Sequence, residues 1–249
     1  MLKRERQAYI LHQVNLHNKV LCTDLCQDMS VSDDTIRRDL QDLADEGKII
    51  KIHGGALSHS FHKGNVSSDQ VYSYVKKNII GQKAAALVRN GMFVLTGGGT
   101  TISELAKMLP QHLHATFITG SLHALADYAQ HPNIDVIAIG DRLSKTSHIT
   151  VGPSAIAQIN SITADLCFLG INAIDPNAGL TDNDWDVVQV KKAMVGASQR
   201  TVCLAISEKI NTVQPIKVCG PERIDTLITE LNPNDPLLDP YREAGITVL

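Results

Sequence analysis

The chain predicts an α/β domain, a mostly parallel sheet with helices on both faces, preceded by a small domain of three helices and a hairpin. Three observations carry that expectation. From about residue 75 onward, short apolar runs alternate with helical patterns. Strands that are apolar on both sides and separated by helices suit a parallel sheet covered on both faces. Before residue 57, three short helical patterns precede one stretch that alternates polar and apolar. Between the two regions, Ser58 to Ser73 is rich in Ser, His, Gly, Asn and Asp and has little periodicity, as a linker does. The expected boundaries are 1–57, 58–74 and 75–249.

In the first region Ile10, Leu11 and Val14 fall at helical spacing within Lys3 to Leu16. Thr23 is expected to cap a second helix, with Leu25, Cys26 and Met29 on its buried side. After a turn at Ser30-Val31, Ser32 is expected to cap a third helix, with Asp33 and Asp34 near the positive end of its dipole. Ile36, Leu40 and Leu43 share one face of this helix. Arg38 lies nearly opposite, flanked by Asp34, Thr35, Arg37 and Gln41. Gly47 is expected just past the helix end. Lys48 to His53 then reads as a strand, Gly54-Gly55 as a turn, and Ala56-Leu57 as the start of a return strand.

Three helices and a hairpin make a winged helix-turn-helix, whose third helix enters a DNA major groove. Arg side chains on such a helix reach guanine edges or phosphate, and Lys51 and His53 on the wing reach the phosphate backbone. The competing reading is a solvated amphipathic helix carrying i, i+4 ion pairs, Asp33–Arg37 and Asp34–Arg38. Overall charge does not decide between them. The net charge is −3, and residues 1–56 hold eight Lys/Arg against nine Asp/Glu. Any DNA contact must come from placement rather than excess.

Composition narrows the class. Hydrophobic residues at 43% and charged residues at 20% are ordinary for a globular protein, and no apolar run reaches the roughly 18 residues that would cross a bilayer. The charged N-terminus is not followed by the apolar stretch of a secretory signal. Five scattered cysteines suit a reducing compartment, so a cytoplasmic location without a membrane partner is expected. Cys22 and Cys26 lack a second Cys/His pair, so no metal site and no cofactor are expected.

In the second region the strand candidates are Met92–Thr96, Thr116–Thr119, Ile134–Ile139, Leu166–Ile171, Thr201–Ile206, Thr226–Thr229 and Thr247–Leu249. Helical patterns cover Lys76–Val88, Ile102–Leu109, Leu122–Gln130, Ala155–Ile159, Val187–Ser198 and Leu237–Ala244. On the first of these, Ile79, Ile80, Lys83, Ala84 and Leu87 are expected along one side. The loop Gly97-Gly98-Gly99-Thr100-Thr101 follows a strand and opens a helix. Such a loop admits close backbone approach and can hold a phosphate or another anion; the alternative is a tight turn without ligand. Thr119-Gly120, Gly140 and Gly152 follow or precede similar strand ends. Lys191 and Lys209 join the site only if the fold brings them to the same rim.

Taken together, Arg6-x-x-x-Ile10, Ser32-x-x-Thr35-Ile36-Arg37-Arg38-Asp39-Leu40, Gly47 and His53-Gly54-Gly55-Ala56 resemble the DeoR family of bacterial transcriptional repressors. That resemblance implies that Ser32, Thr35, Arg37 and Arg38 contact double-stranded operator DNA. Lys76, Gly99-Thr100-Thr101, Thr119, Gly152-Pro153, Gly179-Leu180-Thr181, Lys191-x-Ala193-Met194 and Lys209 are similar to the family's sensor domain, which is related to ribose-5-phosphate isomerase and CoA transferases. The resemblance implies that a phosphorylated sugar or similar small anionic metabolite binds there and weakens the grip on the operator. A homo-oligomer is expected, because one short helix contacts too few bases for specific affinity.

Four positions depart from the family pattern. Gly97 and Ile206 stand where the family usually has Asp, Gly120 where it has Asn, and Val187 where it has Glu. Losing carboxylates removes acceptors for sugar hydroxyls and the bases that isomerisation needs, while the anion-holding groups remain. The expectation is therefore a regulator and not an enzyme. Its alternatives are a sugar-phosphate isomerase-like enzyme with an appended helical module, and a protein-docking module.

Overall fold

The computed structural model describes residues 1–58 and 71–249, and most of the expected linker falls on residues 59–70, outside the described residues. The chain divides into two compact units, Met1–Tyr72 and Ser73–Leu249.

The first unit runs α1 (Lys3–His17), β1 (Lys19–Leu21), α2 (Cys22–Met29), α3 (Asp33–Asp45), β2 (Ile49–Ile52) and β3 (Gly55–Ser58). The three helices and the hairpin match the sequence reading. The short β1 is an addition: it pairs antiparallel with β3, giving the order β1-β3-β2. Gly55 lies so close to β1 that a Cβ there would sit 2.0 Å from the Val20 carbonyl oxygen. Gly55 therefore belongs to the strand, and the turn is His53-Gly54, with Gly54 at φ +76°.

Two expected caps differ. α2 starts at Cys22, so Thr23 lies inside it and its hydroxyl bonds Asp24 Oδ1 at 3.1 Å. Ser32 does occupy the cap position of α3, but its hydroxyl pairs with Thr35 Oγ1 at 2.9 Å instead of a backbone N–H. The C-terminal end follows expectation. Gly47, at φ +68°, donates its N–H to Ala44 O, and Lys48 N–H reaches Leu43 O, both at 2.9 Å. These two bonds close a Schellman motif.

Ile36, Leu40 and Leu43 of α3 are buried against Ile10 and Val14 of α1, Leu25 of α2 and Ile49 of β2. Asp39 lies in the same buried arc, 1% exposed, and its carboxylate accepts from Arg6 Nε on α1. The Arg6 side chain is itself only 12% exposed. This pair fixes α3 against α1 in one rotation.

The second unit contains α4 (Tyr74–Ala85), β4 (Phe93–Thr96), α5 (Thr100–Met108), β5 (Thr116–Thr119), α6 (Leu122–Tyr128), β6 (Asp135–Ala138), β7 (Arg142–Ser144), β8 (Ile149–Val151) and α7 (Pro153–Asn160). It continues through β9 (Ala164–Gly170), β10 (Ala173–Asp175), β11 (Gly179–Asp182), α8 (Trp185–Gly196), β12 (Ser198–Leu204), β13 (Ile216–Cys219), β14 (Thr226–Ile228), α9 (Asp239–Glu243) and β15 (Thr247–Val248). The seven expected strands are those of one sheet, ordered β15-β14-β12-β9-β4-β5-β6 and parallel throughout. Leu95, Cys167, Leu169 and Cys203 face α7, α8 and α9. On the other face Phe117 packs against Tyr128 of α6, with ring centroids 4.5 Å apart.

The buried side of α4 differs from the sequence reading. Lys77, Ile80, Gly81 and Ala84 are buried, and Ile79 is exposed. The reason is Gly81: a Cβ there would lie 2.8 Å from the Glu104 carbonyl carbon, so the backbones of α4 and α5 nearly touch along that line. Leu237 and Leu238 form a short 3-10 turn ahead of α9 rather than its first turn. Two small antiparallel groups, β7–β8 and β10–β11–β13, were not expected. Among the described residues no helix is long and apolar enough to cross a membrane.

Removing Arg6 leaves a buried carboxylate without its partner, which costs about 3 kcal/mol. Arg6→Met is therefore expected to lower the protection of α3 amides against hydrogen exchange, and Arg6→Met/Asp39→Leu to restore most of it. Independent, additive losses in the two single variants would contradict the coupling.

Candidate nucleic-acid interface and effector site

The outer face of α3 is polar and open. Ser32, Asp34, Arg37, Arg38 and Gln41 are exposed and Thr35 is half-buried. Arg37 Nε pairs with Asp33 Oδ2 at 2.6 Å, but the second expected pair, Asp34–Arg38, does not form. Arg38 has no ion pair or hydrogen bond among the described residues. It is an extended cation on a helix whose opposite side is locked. The exposed Arg37–Asp33 pair contributes only a few tenths of a kcal/mol, so it holds the Arg37 side chain weakly. On the wing, Lys51 Nζ reaches Gln41 Oε1 at 2.9 Å, which ties β2 to α3. Gln41 also donates to Asp45 Oδ1 at 2.7 Å. The structure thus joins Arg37, Gln41 and Lys51 into one polar surface. His53 is exposed at the hairpin turn and belongs to none of these contacts.

In the second unit, sheet topology locates the site. β4 is the first strand of the sheet; β5 and β6 extend it to one side, and β9 and β12 to the other. The order reverses between β4 and β9, and ligands of open parallel sheets bind beyond the carboxyl ends of the strands at such a switch point. The loop Gly97-Gly98-Gly99 leaves β4 there, and Gly99 at φ +108° opens α5. The N–H groups of Thr100 and Thr101 lie in the first turn, where the helix offers no acceptor. Opposite, Gly170 ends β9, and a Cβ on it would meet Gly98 O at 2.7 Å.

Two cations converge on that end of β9. Lys191 Nζ, buried, bonds Asp182 Oδ2 at 2.6 Å and Gly170 O at 3.0 Å. Lys209 Nζ bonds Ile171 O at 2.7 Å. Successive carbonyls of one strand end therefore hold the two ammonium groups. Burial would raise the Asp182 carboxyl, but Lys191, Asn183 N–H and Asn172 hold it below its usual value. Burial, followed by the charges of Lys77 and Lys191, pushes Lys209 down to about 7. Burial likewise pushes Lys77 down to about 8. Lys76, in contrast, is engaged by Glu208 at 2.8 Å, Glu230 at 3.2 Å and Ser207 Oγ at 2.9 Å.

Gly97, Thr119, Gly120 and Lys191 line a narrow cavity next to this loop. Gly98 abuts its wall, since a Cβ there would lie 2.9 Å from Ser121 Oγ. Gly140 and Gly152 sit further out. Gly140 exchanges bonds with the Gln158 amide at 3.2 and 2.8 Å. Gly152 faces Asp141, whose carboxylate already caps α7 through Ser154 N–H at 2.8 Å and Ala155 N–H at 3.2 Å. Those two glycines, like Gly98, Gly99, Thr100, Thr101 and Lys209, are not among the residues lining the cavity. Sequence reasoning missed Lys77 and Asp182. Nothing in a Lys-Lys pair says which member is buried, and Asp182 ends an unexpected short strand.

If Lys209 takes part in an anion site, its protonated form carries the charge, and that form is lost as pH rises through about 7. Sulfate keeps its charge throughout, so its affinity is expected to fall several-fold between about pH 6 and about pH 8.5 by titration calorimetry. Lys209→Met should flatten the profile. A flat profile in the parent chain would remove Lys209 from the anion site.

Comparison with known proteins agrees with this two-part layout. Residues 6–61 match the DeoR-like helix-turn-helix domain, and residues 73–231 the DeoR C terminal sensor domain. The HTH-type transcriptional regulator GolR of Listeria innocua is 31% identical over 250 residues, covering 100% of this chain and 98% of that protein. The glycerol-3-phosphate regulon repressor of Haemophilus influenzae is 30% identical over 226 residues, covering 90% and 88%. The tetrameric eIF2B-beta2-delta2 complex from C. thermophilum shares the fold at a TM-score of 0.50 and 15% identity, over 90% of this chain and 70% of that one. These relatives are named regulators, which disfavours the isomerase-like alternative. With both domain families matched in order and a relative aligned end to end, the chain belongs to the DeoR family, DNA-binding transcriptional regulators with a C-terminal sensor domain.

Proposed function

We propose that the protein is a cytoplasmic repressor that holds operator DNA as a homo-oligomer and releases it when a small phosphorylated metabolite binds the sensor domain. The observation that carries the first half is the division of α3: a buried side held by Ile36, Asp39 and Leu40, and an open side presenting Arg38. Arg37 and Arg38, with Ser32, Asp34, Thr35 and Gln41 around them, lie where base edges and phosphates are met in a major groove. Lys51 and His53 are placed for the flanking phosphate backbone. Repression follows the printed function of the Haemophilus relative. A second copy is needed because paired half-sites supply the affinity that one short helix lacks.

In the sensor domain, Gly98, Gly99, Thr100 and Thr101 offer backbone N–H and hydroxyl groups to the phosphate, and Lys209 and Lys191 offer charge. Effector binding favours an arrangement whose recognition helices miss the half-site spacing, a shift between states rather than a chemical step.

The test begins with selection of an operator from random duplex DNA. Binding should weaken steeply with salt, as phosphate contacts require. At least one member of a panel of pentose, hexose and three-carbon phosphates should then release it. Thr100→Ala/Lys209→Ala should bind the operator normally and ignore that compound. No selected sequence would refute the DNA half of the proposal, and release undiminished in the double variant would refute the sensor half.

A further inference from the structure

We infer that Gln41 is not a base reader but a positioning residue: oriented by Asp45, it holds Lys51 of the wing where the DNA phosphate backbone passes. The inference rests on the proposal that α3 enters a major groove, and it divides the work among the polar residues of that helix.

The outer surface of α3 carries two stripes. Asp33, Arg37, Gln41 and Asp45 recur at every fourth position and so share one side. This side meets the wing: Lys51 Nζ on β2 lies 2.9 Å from Gln41 Oε1 and 3.5 Å from the Arg37 carbonyl oxygen. Its members are also bonded to one another, Arg37 Nε to Asp33 Oδ2 at 2.6 Å and Gln41 Nε2 to Asp45 Oδ1 at 2.7 Å. Asp34 and Arg38 form the second stripe, and among the described residues Arg38 has no ion pair or hydrogen bond.

The partners decide which way the Gln41 amide faces. An ammonium only donates and an ionised carboxylate only accepts, so the amide oxygen belongs to Lys51 and the amide nitrogen to Asp45. A glutamine that reads adenine uses the same two atoms, on N6 and N7. Gln41 would have to release both neighbours to do so. Asp45 is the last residue of α3, and its exposed carboxylate repels the phosphates that flank a groove. The bases are thereby left to the N-terminal half of the helix, where Arg38 is open.

Lys51 gains from the same contacts. An exposed lysine samples many rotamers, and one already held loses less freedom when it meets its target. Of its three N–H groups Gln41 Oε1 engages one, and the Arg37 carbonyl oxygen lies at the outer limit of bonding distance. At least one N–H remains for a phosphate oxygen.

The test uses the full chain and the operator selected with it. Gln41→Met keeps the length of the side chain and removes both bonds without changing charge. It is expected to weaken operator binding several-fold and to lower the slope of log affinity against log salt by about one, with the base preference at every operator position as in the parent. Lys51→Met should do the same, and the double variant should be no weaker than either single one, because each removes the same contact. Gln41→Glu/Asp45→Asn exchanges donor and acceptor between the two side chains and keeps an acceptor for Lys51; it should retain the parent's preference and slope. An unchanged slope in Gln41→Met overturns the inference, as does a relaxed preference at one base pair. Additive losses in the Gln41 and Lys51 variants, or a switch toward cytosine in the exchanged pair, overturn it too. Each of these results leaves DNA reading by α3 standing. If no operator is selected, both fall.

Discussion

The buried ion pair between Arg6 and Asp39 sets the orientation of α3, and the orientation of α3 decides what the N-terminal unit can touch. A helix held only by Ile36, Leu40 and Leu43 could rotate by part of a turn at small cost, since apolar contact is not directional. A carboxylate that is 1% exposed cannot leave its guanidinium so freely. With Asp39 turned inward, Arg38 is turned outward by the 100° step between neighbours. The same helix therefore carries one arginine partner that organises and one arginine that stays open, because Asp34 does not engage Arg38.

The sensor unit follows a related logic at the end of β9. Gly170 and Ile171 present successive carbonyls, and Lys191 and Lys209 sit on them. Asp182 neutralises one of the two cations through direct contact, while Lys209 rests on a carbonyl and has Lys77 and Lys191 as like-charged neighbours. Asp182 and Glu208 offset part of the charge that Lys77, Lys191 and Lys209 bring to this end of β9, where the sheet order reverses. An anion at that point relieves repulsion that the protein's own groups leave in place.

Much of this was legible from the residues. The central strands of the parallel sheet stood out because strands covered on both faces are apolar nearly throughout, as in Leu166-Cys167-Phe168-Leu169. The small antiparallel strands did not. Arg142-Leu143-Ser144 and Lys19-Val20-Leu21 are too short and too mixed to show a period, and their pairing is decided by distant partners. Gly55 was assigned to the turn and not the strand because its closeness to Val20 is a tertiary fact. The buried face of α4 was misjudged for the same reason, Gly81 being set by the approach of α5. The open face of α3 was legible because a single helix repeats a simple angle. The candidate sensor site was only half legible: its glycine loop is local, whereas Lys77 and Asp182 reach the end of β9 from chain segments about a hundred residues apart.

Guanine methylation interference on the selected operator tests most directly whether α3 reads DNA through its open arginine. With the parent chain, N7 methylation of a guanine in each half-site should block binding, since methylated N7 can no longer accept a hydrogen bond. In Arg38→Ala, interference at that guanine should vanish while interference elsewhere persists. An identical interference pattern in the two proteins would contradict the account, because Arg38 would then stand outside the groove.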